Sequence, residues 1–154
     1  MKKILSFLGY FFLSNIVFIF DRITKNLALI LNHSDVPIVP GVSLVYVKNR
    51  GISWGMFYAH NAGSFVIMSL FVGIIIGILG VYTYKRWLLN QSILGEILVL
   101  TGAISNLLDR IVYAGIIDFI KLSYHDWDFP VFNIADIAIV IGVAIMLIQF
   151  WRKA

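Results

Sequence analysis

Two aspartates in this chain stand where a merely solvating acid would be out of place. Asp118 sits within Ile116-Ile117-Asp118-Phe119-Ile120, and Asp136 closes Phe132-Asn133-Ile134-Ala135-Asp136. Two carboxyl groups held close together cannot both ionise cheaply, so such a pair shares one proton over a wide pH range. The charged member can then take a proton from water while its protonated partner polarises a carbonyl and later feeds a leaving amine. A helix N-terminus at Asp136 favours the charged form, and the apolar neighbours of Asp118 resist it. The chemistry on offer is an aspartyl dyad, in which either residue can take either role during turnover.

Other readings of the same residues stay open at this point. Asn133 stands where a helix N-cap belongs, and Asp136 three residues later completes a capping box, so capping alone accounts for it. With Arg110, the two acids would also suit a proton or ion relay in a small transporter or channel subunit. A relay places its acids near mid-bilayer, whereas these fall at helix ends beside polar stretches. A purely structural membrane subunit would tolerate the loss of either acid. Competing hydrolase chemistries lack their residues: His33, His60 and His125 are scattered, no serine sits in a nucleophile elbow, and there is no cysteine. Phosphate-cradling and dinucleotide-binding glycine patterns are missing too.

These residues lie in a chain patterned for a bilayer. Hydrophobic residues make up 60% of the 154 and charged residues 13%, with a mean hydropathy of +0.92. Soluble domains run near 45–50% and about 25% respectively. The apolar residues are also gathered into long runs. The expected fold is an α-helical integral membrane protein, a single membrane-embedded domain over residues 1–154. Four transmembrane helices are expected at about 4–31, 62–84, 92–112 and 133–151. No small-x-small site follows the first apolar run, which points to an uncleaved first helix.

Between the first two spans, Pro37, Pro40 and Gly41 break the pattern, and the alternation from Val42 to Val47 predicts a strand or hairpin. This small extramembrane β-element is expected to turn at Asn49, Arg50 and Gly51. Trp54, Phe57 and Tyr58 suit an aromatic belt at headgroup depth. Gly73 and Gly77 have the GxxxG spacing of close helix contacts. On the third helix Asn106 and Arg110 share a face at i, i+4. Gly115 is expected to break that helix, and Tyr124 to Phe129 reads as a loop. Asp21 and Lys25, also i, i+4, either ease the first helix into the headgroups or brace the site.

Charge placement argues against nucleic acid as a partner, because no basic face is left over. Lys2, Lys3, Lys85, Arg86, Arg152 and Lys153 cluster at the helix flanks without acids, which predicts cytoplasmic termini. Arg22, Lys25, Lys48, Arg50, Arg110 and Lys121 fall on the other side, so the count of cations alone does not orient the chain. Every acid except Glu96 falls on that second side, which puts the site toward the outer face.

Five short motifs occur in order: Asp21-x-x-Thr24-Lys25, Asn49-x-Gly51, Asn106-Leu-x-Asp109-Arg110, Ile117-Asp118-Phe119 and Phe132-Asn133-x-Ala135-Asp136. Together they cover nearly the whole chain, which resembles the bacterial lipoprotein signal peptidase (signal peptidase II) family. The resemblance implies a monomeric aspartyl endopeptidase of the bacterial inner membrane that needs no metal or other cofactor. Its substrate would be a prolipoprotein cut just before a lipobox cysteine that already carries diacylglyceryl. The family's catalytic pair falls on Asp118 and Asp136. Supporting positions fall on Asn49, Gly51, Asn106, Arg110 and Asn133, with Asp21 and Lys25 bracing the first helix. Membrane lipid would surround the site, and globomycin-type cyclic peptides would block it. Thr101 and Ser105 replace glycines usual in the family, and Ile52-Ser53 replaces Ala-Ala; the larger side chains at 101 and 105 are expected to tighten the groove beside the third helix.

Overall fold

The computed structural model describes residues 2–31, 34–51 and 61–152. Trp54, Phe57 and Tyr58, the expected aromatic belt, lie outside the described residues, as do Ile52 and Ser53. Among the described residues the order is α1 (Lys2–Leu29), β1 (Val36–Val39), β2 (Val42–Asn49), α2 (Ala62–Leu88), α3 (Leu94–Tyr113), β3 (Ile116–Tyr124), β4 (Trp127–Phe132) and α4 (Ile134–Trp151).

Three of these helices, Lys3–Leu29, Ala62–Leu88 and Ile134–Trp151, are long and apolar enough to cross a membrane. Their outward side chains are large and bare: Phe12 is 60% exposed, Ile67 70% and Val140 68%. No soluble protein carries apolar surface on that scale, so lipid is the solvent these faces require. The chain is therefore an integral membrane protein. Helix α3 differs because Glu96, Asp109 and Arg110 interrupt it. It packs against each of the other three helices, and its enclosed residues are largely small or polar.

The α3–α4 contact is made by glycines. A methyl on Gly102 would lie 2.4 Å from the Ala135 carbonyl oxygen, and one on Gly142 would lie 2.6 Å from that of Gly95. The GxxxG pair of α2 has no such part. Gly77 has open space around it, and Gly73 only an ordinary contact with Leu107. Spacing alone said nothing about which helix faces were covered, and the covered ones belong to α3 and α4.

The β-element is larger than expected and is assembled from two places in the chain. Its four antiparallel strands run in the order β1-β2-β3-β4, so Ile116–Tyr124 and Trp127–Phe132, separated by an expected loop, form a hairpin instead. His125 turns it in the left-handed region with φ 51°. The β1–β2 turn falls at Pro40-Gly41, where Gly41 has φ 83° and its carbonyl accepts from the Ser123 amide at 2.9 Å. Asn49 ends strand β2 and does not form the tip of a hairpin. The break after α3 is likewise made by Ala114 at φ 52°, not by Gly115. Gly115 is needed for room, because the Lys48 side chain lies 2.8 Å from where its Cβ would stand.

Strand β3 is central in the sheet and buried at its start. Ile117 and Phe119 point to one side and pack on Ala28 near the end of α1. Asp118, on the other side by strand alternation, is 2% exposed.

Candidate active site

Backbone geometry brings the two aspartates together from different elements. Asp118 stands on β3, paired with Val47 of β2, while Asn49 pairs with Ile116. Asn49 is therefore the diagonal neighbour of Asp118 on the same sheet face. Its Nδ2 donates to Asp118 Oδ2 at 2.9 Å. Its Oδ1 accepts from the Gly51 amide at 2.8 Å.

Asp136 stands in the first turn of α4, where the expected capping box is present. The Asn133 side chain accepts from the Asp136 amide at 2.9 Å, and Asp136 Oδ2 accepts from the Asn133 amide at 3.1 Å. Capping uses one oxygen of Asp136 and leaves Oδ1 to accept from Asn106 Nδ2 at 2.9 Å. Asn133 reaches both aspartates, for its Nδ2 also donates to Asp118 Oδ1 at 2.7 Å. The same nitrogen lies 3.2 Å from Asn106 Oδ1.

The orientation of Asn106 is fixed from below. Lys25 Nζ donates to Asn106 Oδ1 at 2.7 Å, and an ammonium can only face the amide oxygen. The NH2 of Asn106 is thereby turned toward Asp136. Lys25 spends its other two protons on Asp21 Oδ2 at 2.9 Å and Asp109 Oδ2 at 2.8 Å. Asp21 and Lys25 are 0% and 1% exposed, so they brace the site and do not ease a helix end into headgroups.

A cleft of about 210 Å³ opens over the pair, lined by Asp118, Asp136, Asn49, Asn106 and Arg110. Its apolar walls come from Val72 of α2, Ala103 of α3, Ile139 and Val140 of α4, and Phe132 of β4. Arg110 donates to the Gly51 carbonyl oxygen at 3.1 Å, while its buried Nε has no partner among the described residues. Burial, and next the nearby charge of Asp136, push the Asp118 carboxyl up to about 7, against the opposing hydrogen bonds from Asn49 and Asn133. Near neutral pH, a proton is therefore held at this site.

Asp118, Asp136, Asn49, Asn106 and Arg110 thus share one cleft. Asn133 and Gly51 hold its members from just outside, and Asp21 and Lys25 lie behind it. Sequence reasoning missed three contributors on the hidden side. Asp109 accepts from Arg22 Nη1 at 2.6 Å and from the Ile117 amide at 3.3 Å. The Ser105 hydroxyl donates to Asp21 Oδ2 at 2.6 Å. Ser105 therefore faces α1 and does not narrow the groove, and Thr101 turns its hydroxyl onto the Ile97 carbonyl oxygen. A signal was available, since Ser105 and Asp109 are i, i+4 on α3, as Asp21 and Lys25 are on α1.

Comparison with known proteins places this arrangement. The family model for signal peptidase (SPase) II matches residues 13–152. A lipoprotein signal peptidase of Thermodesulfovibrio yellowstonii is 36% identical over 140 residues, covering 90% of this chain and 91% of its own. That of Anaplasma phagocytophilum is 34% identical over 141 residues, covering 90% and 89%. A bacterial membrane enzyme solved by the in meso method at 2.3 Å resolution superposes with a TM-score of 0.75 at 24% identity, covering 94% of this chain and 88% of that one. The chain belongs to the signal peptidase II family, and is an aspartic-type peptidase.

Proposed function

We propose that this protein removes the signal peptide from prolipoproteins, cutting just before a lipobox cysteine that carries diacylglyceryl, with Asp118 and Asp136 as the catalytic pair. The observation that carries the reading is that both carboxyls line one cleft and are joined through Asn133. In the resting site the pair shares one proton, held by Asp118. Water attacks the scissile carbonyl carbon, gives a proton to Asp136, and the Asp118 proton moves to the carbonyl oxygen. Collapse of the tetrahedral diol breaks the C–N bond. The leaving amine takes the proton from Asp136, and a diol hydroxyl returns one to Asp118, which restores the starting state.

Helix α3 serves as the fourth span, with its charged residues turned inward. The termini lie in the cytoplasm and the sheet on the outer face of the inner membrane. The cleft opens between α2 and α4, so the signal peptide enters from the bilayer while its diacyl chains stay in lipid. Arg110, beside the pair and with Nε free of described partners, is suited to the substrate backbone or to a globomycin-type inhibitor. The enzyme works as a monomer.

The test is cleavage of a diacylated prolipoprotein, read as a gel shift. Asp118→Asn and Asp136→Asn, each shown to be folded, should lose about 10²–10⁴-fold in turnover, the usual share of acid–base catalysis. Near-wild-type turnover in either variant sinks the reading and favours a relay or structural role.

A further inference from the structure

Behind the cleft lies a second pair of acids that the chemistry does not use. Asp21 and Asp109 are both fully buried. Lys25 bridges them with an ammonium 2.9 Å from one and 2.8 Å from the other. Arg22 bridges them again, at 3.1 Å and 2.6 Å. Each acid keeps one further contact that the cations do not explain. Asp21 Oδ1 accepts from the backbone amide of Ala135 at 2.8 Å. Asp109 Oδ2 accepts from the backbone amide of Ile117 at 3.3 Å. Ala135 directly precedes Asp136, and Ile117 directly precedes Asp118.

We infer that Asp109, clamped by Arg22 and Lys25, is a positioning residue for Asp118, as Asp21 is for Asp136, the two forming a frame that fixes the spacing of the reacting carboxyls. The inference rests on the reading of Asp118 and Asp136 as the catalytic pair. Its physical basis is that a charge-assisted bond to a peptide N–H locks the backbone from which the next side chain projects. Four ionised groups make up the frame, two of each sign, so the burial of any one is compensated. Neither Asp21 nor Asp109 lines the cleft. The frame therefore has no direct contact with substrate.

Loosening the frame should alter the Asp118 environment more than the overall fold. Asp118 is faced by Asp136 from α4, Arg110 from α3 and Lys25 from α1, with the neutral Asn49 on β2. Of these, the nearby Asp136 charge and the burial keep the shared proton bound toward neutral pH. If Ile117 is released, water reaches Asp118 and the proton is lost at lower pH.

The experiment compares pH profiles of kcat and KM for wild type, Asp109→Asn and Arg22→Gln on a diacylated prolipoprotein in detergent. The expected result is a lower kcat at neutral pH, an unchanged KM and an alkaline limb moved toward acid by ~1 pH unit in Asp109→Asn, less in Arg22→Gln. A merely structural role lowers the amplitude at every pH and leaves the limb in place. That outcome, or a change confined to KM, overturns the inference. Arg22, which is partly exposed, provides the reading alone if Asp109→Asn does not fold. Asp118→Asn and Asp136→Asn run alongside: if both are inactive while the limb stays fixed, only the frame fails. If either remains active, the dyad itself is wrong.

Discussion

Asp118→Asn should make the protein more stable at neutral and alkaline pH, and the gain should vanish in acid. Burial and the Asp136 charge raise the Asp118 carboxyl from its ordinary 3.8 to about 7. The unfolded chain releases this proton near the ordinary value, whereas the folded chain keeps it until near 7. Between those values the folded state holds more protons, so stability falls as pH rises. The span is roughly three pH units at about 1.36 kcal/mol each, which sets a penalty of about 4 kcal/mol fully developed above neutrality. An amide cannot ionise, so the variant is free of that penalty.

The substitution has its own cost, and that cost does not depend on pH. Asp118 accepts from Asn49 at one oxygen and from Asn133 at the other. The new NH2 must therefore face one of these donors, which costs about 1–3 kcal/mol. The decisive quantity is the change in the variant-minus-wild-type difference between about pH 4 and pH 8, expected to be ~4 kcal/mol in favour of the variant. Thermal unfolding in detergent reads it, at about 2–4 °C per kcal/mol for a chain of this size. A difference that stays constant across this range would refute the argument, because Asp118 would then titrate alike in the folded and unfolded states.

The remaining predictions concern the supports of the site. Gly102→Ala should displace the first turn of α4, since its methyl would meet Ala135 O at 2.4 Å and Ile139 Cγ1 at 2.8 Å; a stability loss of about 1–3 kcal/mol and a drop in turnover of about 10–100-fold are expected. Gly77→Ala, in open space, is the matched control and should leave turnover unchanged. Ser105→Ala removes a 2.6 Å bond to Asp21 and should lower stability by about 1.5–3 kcal/mol in thermal unfolding without raising KM.

What the sequence made legible was local. The apolar runs show helices wherever composition alone decides, and the Asn133-x-x-Asp136 cap is visible because its partners are three residues apart. Strands β3 and β4 were hidden for the opposite reason. Ile116–Leu122 reads as apolar on both faces because α1 covers one side and the cleft the other, and Tyr124–Phe129 reads as a loop because its outer face is polar. Pairing with β2, some 70 residues earlier (Asn49↔Ile116), is what makes them a sheet. Asp109 and Ser105 escaped notice for a similar reason. Their partners Arg22 and Asp21 lie on another helix, and an acid on a helix reveals nothing about which helix it faces. Gly73 and Gly77 misled because a spacing describes one surface and a contact needs two.

The charges of the buried interior divide into two groups, each close to neutral. Asp21 and Asp109 are balanced by Arg22 and Lys25. Asp118 and Asp136 face only Arg110 as a cation of their own, since Lys25 has already given its protons to the frame and to Asn106. Two ionised carboxylates against one guanidinium would leave a net negative charge in a poorly solvated cleft, and two protonated ones a net positive charge. One shared proton is the balanced state, and low dielectric strengthens the preference. On this reading Arg110 does more than offer hydrogen bonds to a substrate. Its fixed charge holds the pair at one proton, the state from which water activation begins, and the frame behind it is neutral so that it does not disturb that balance.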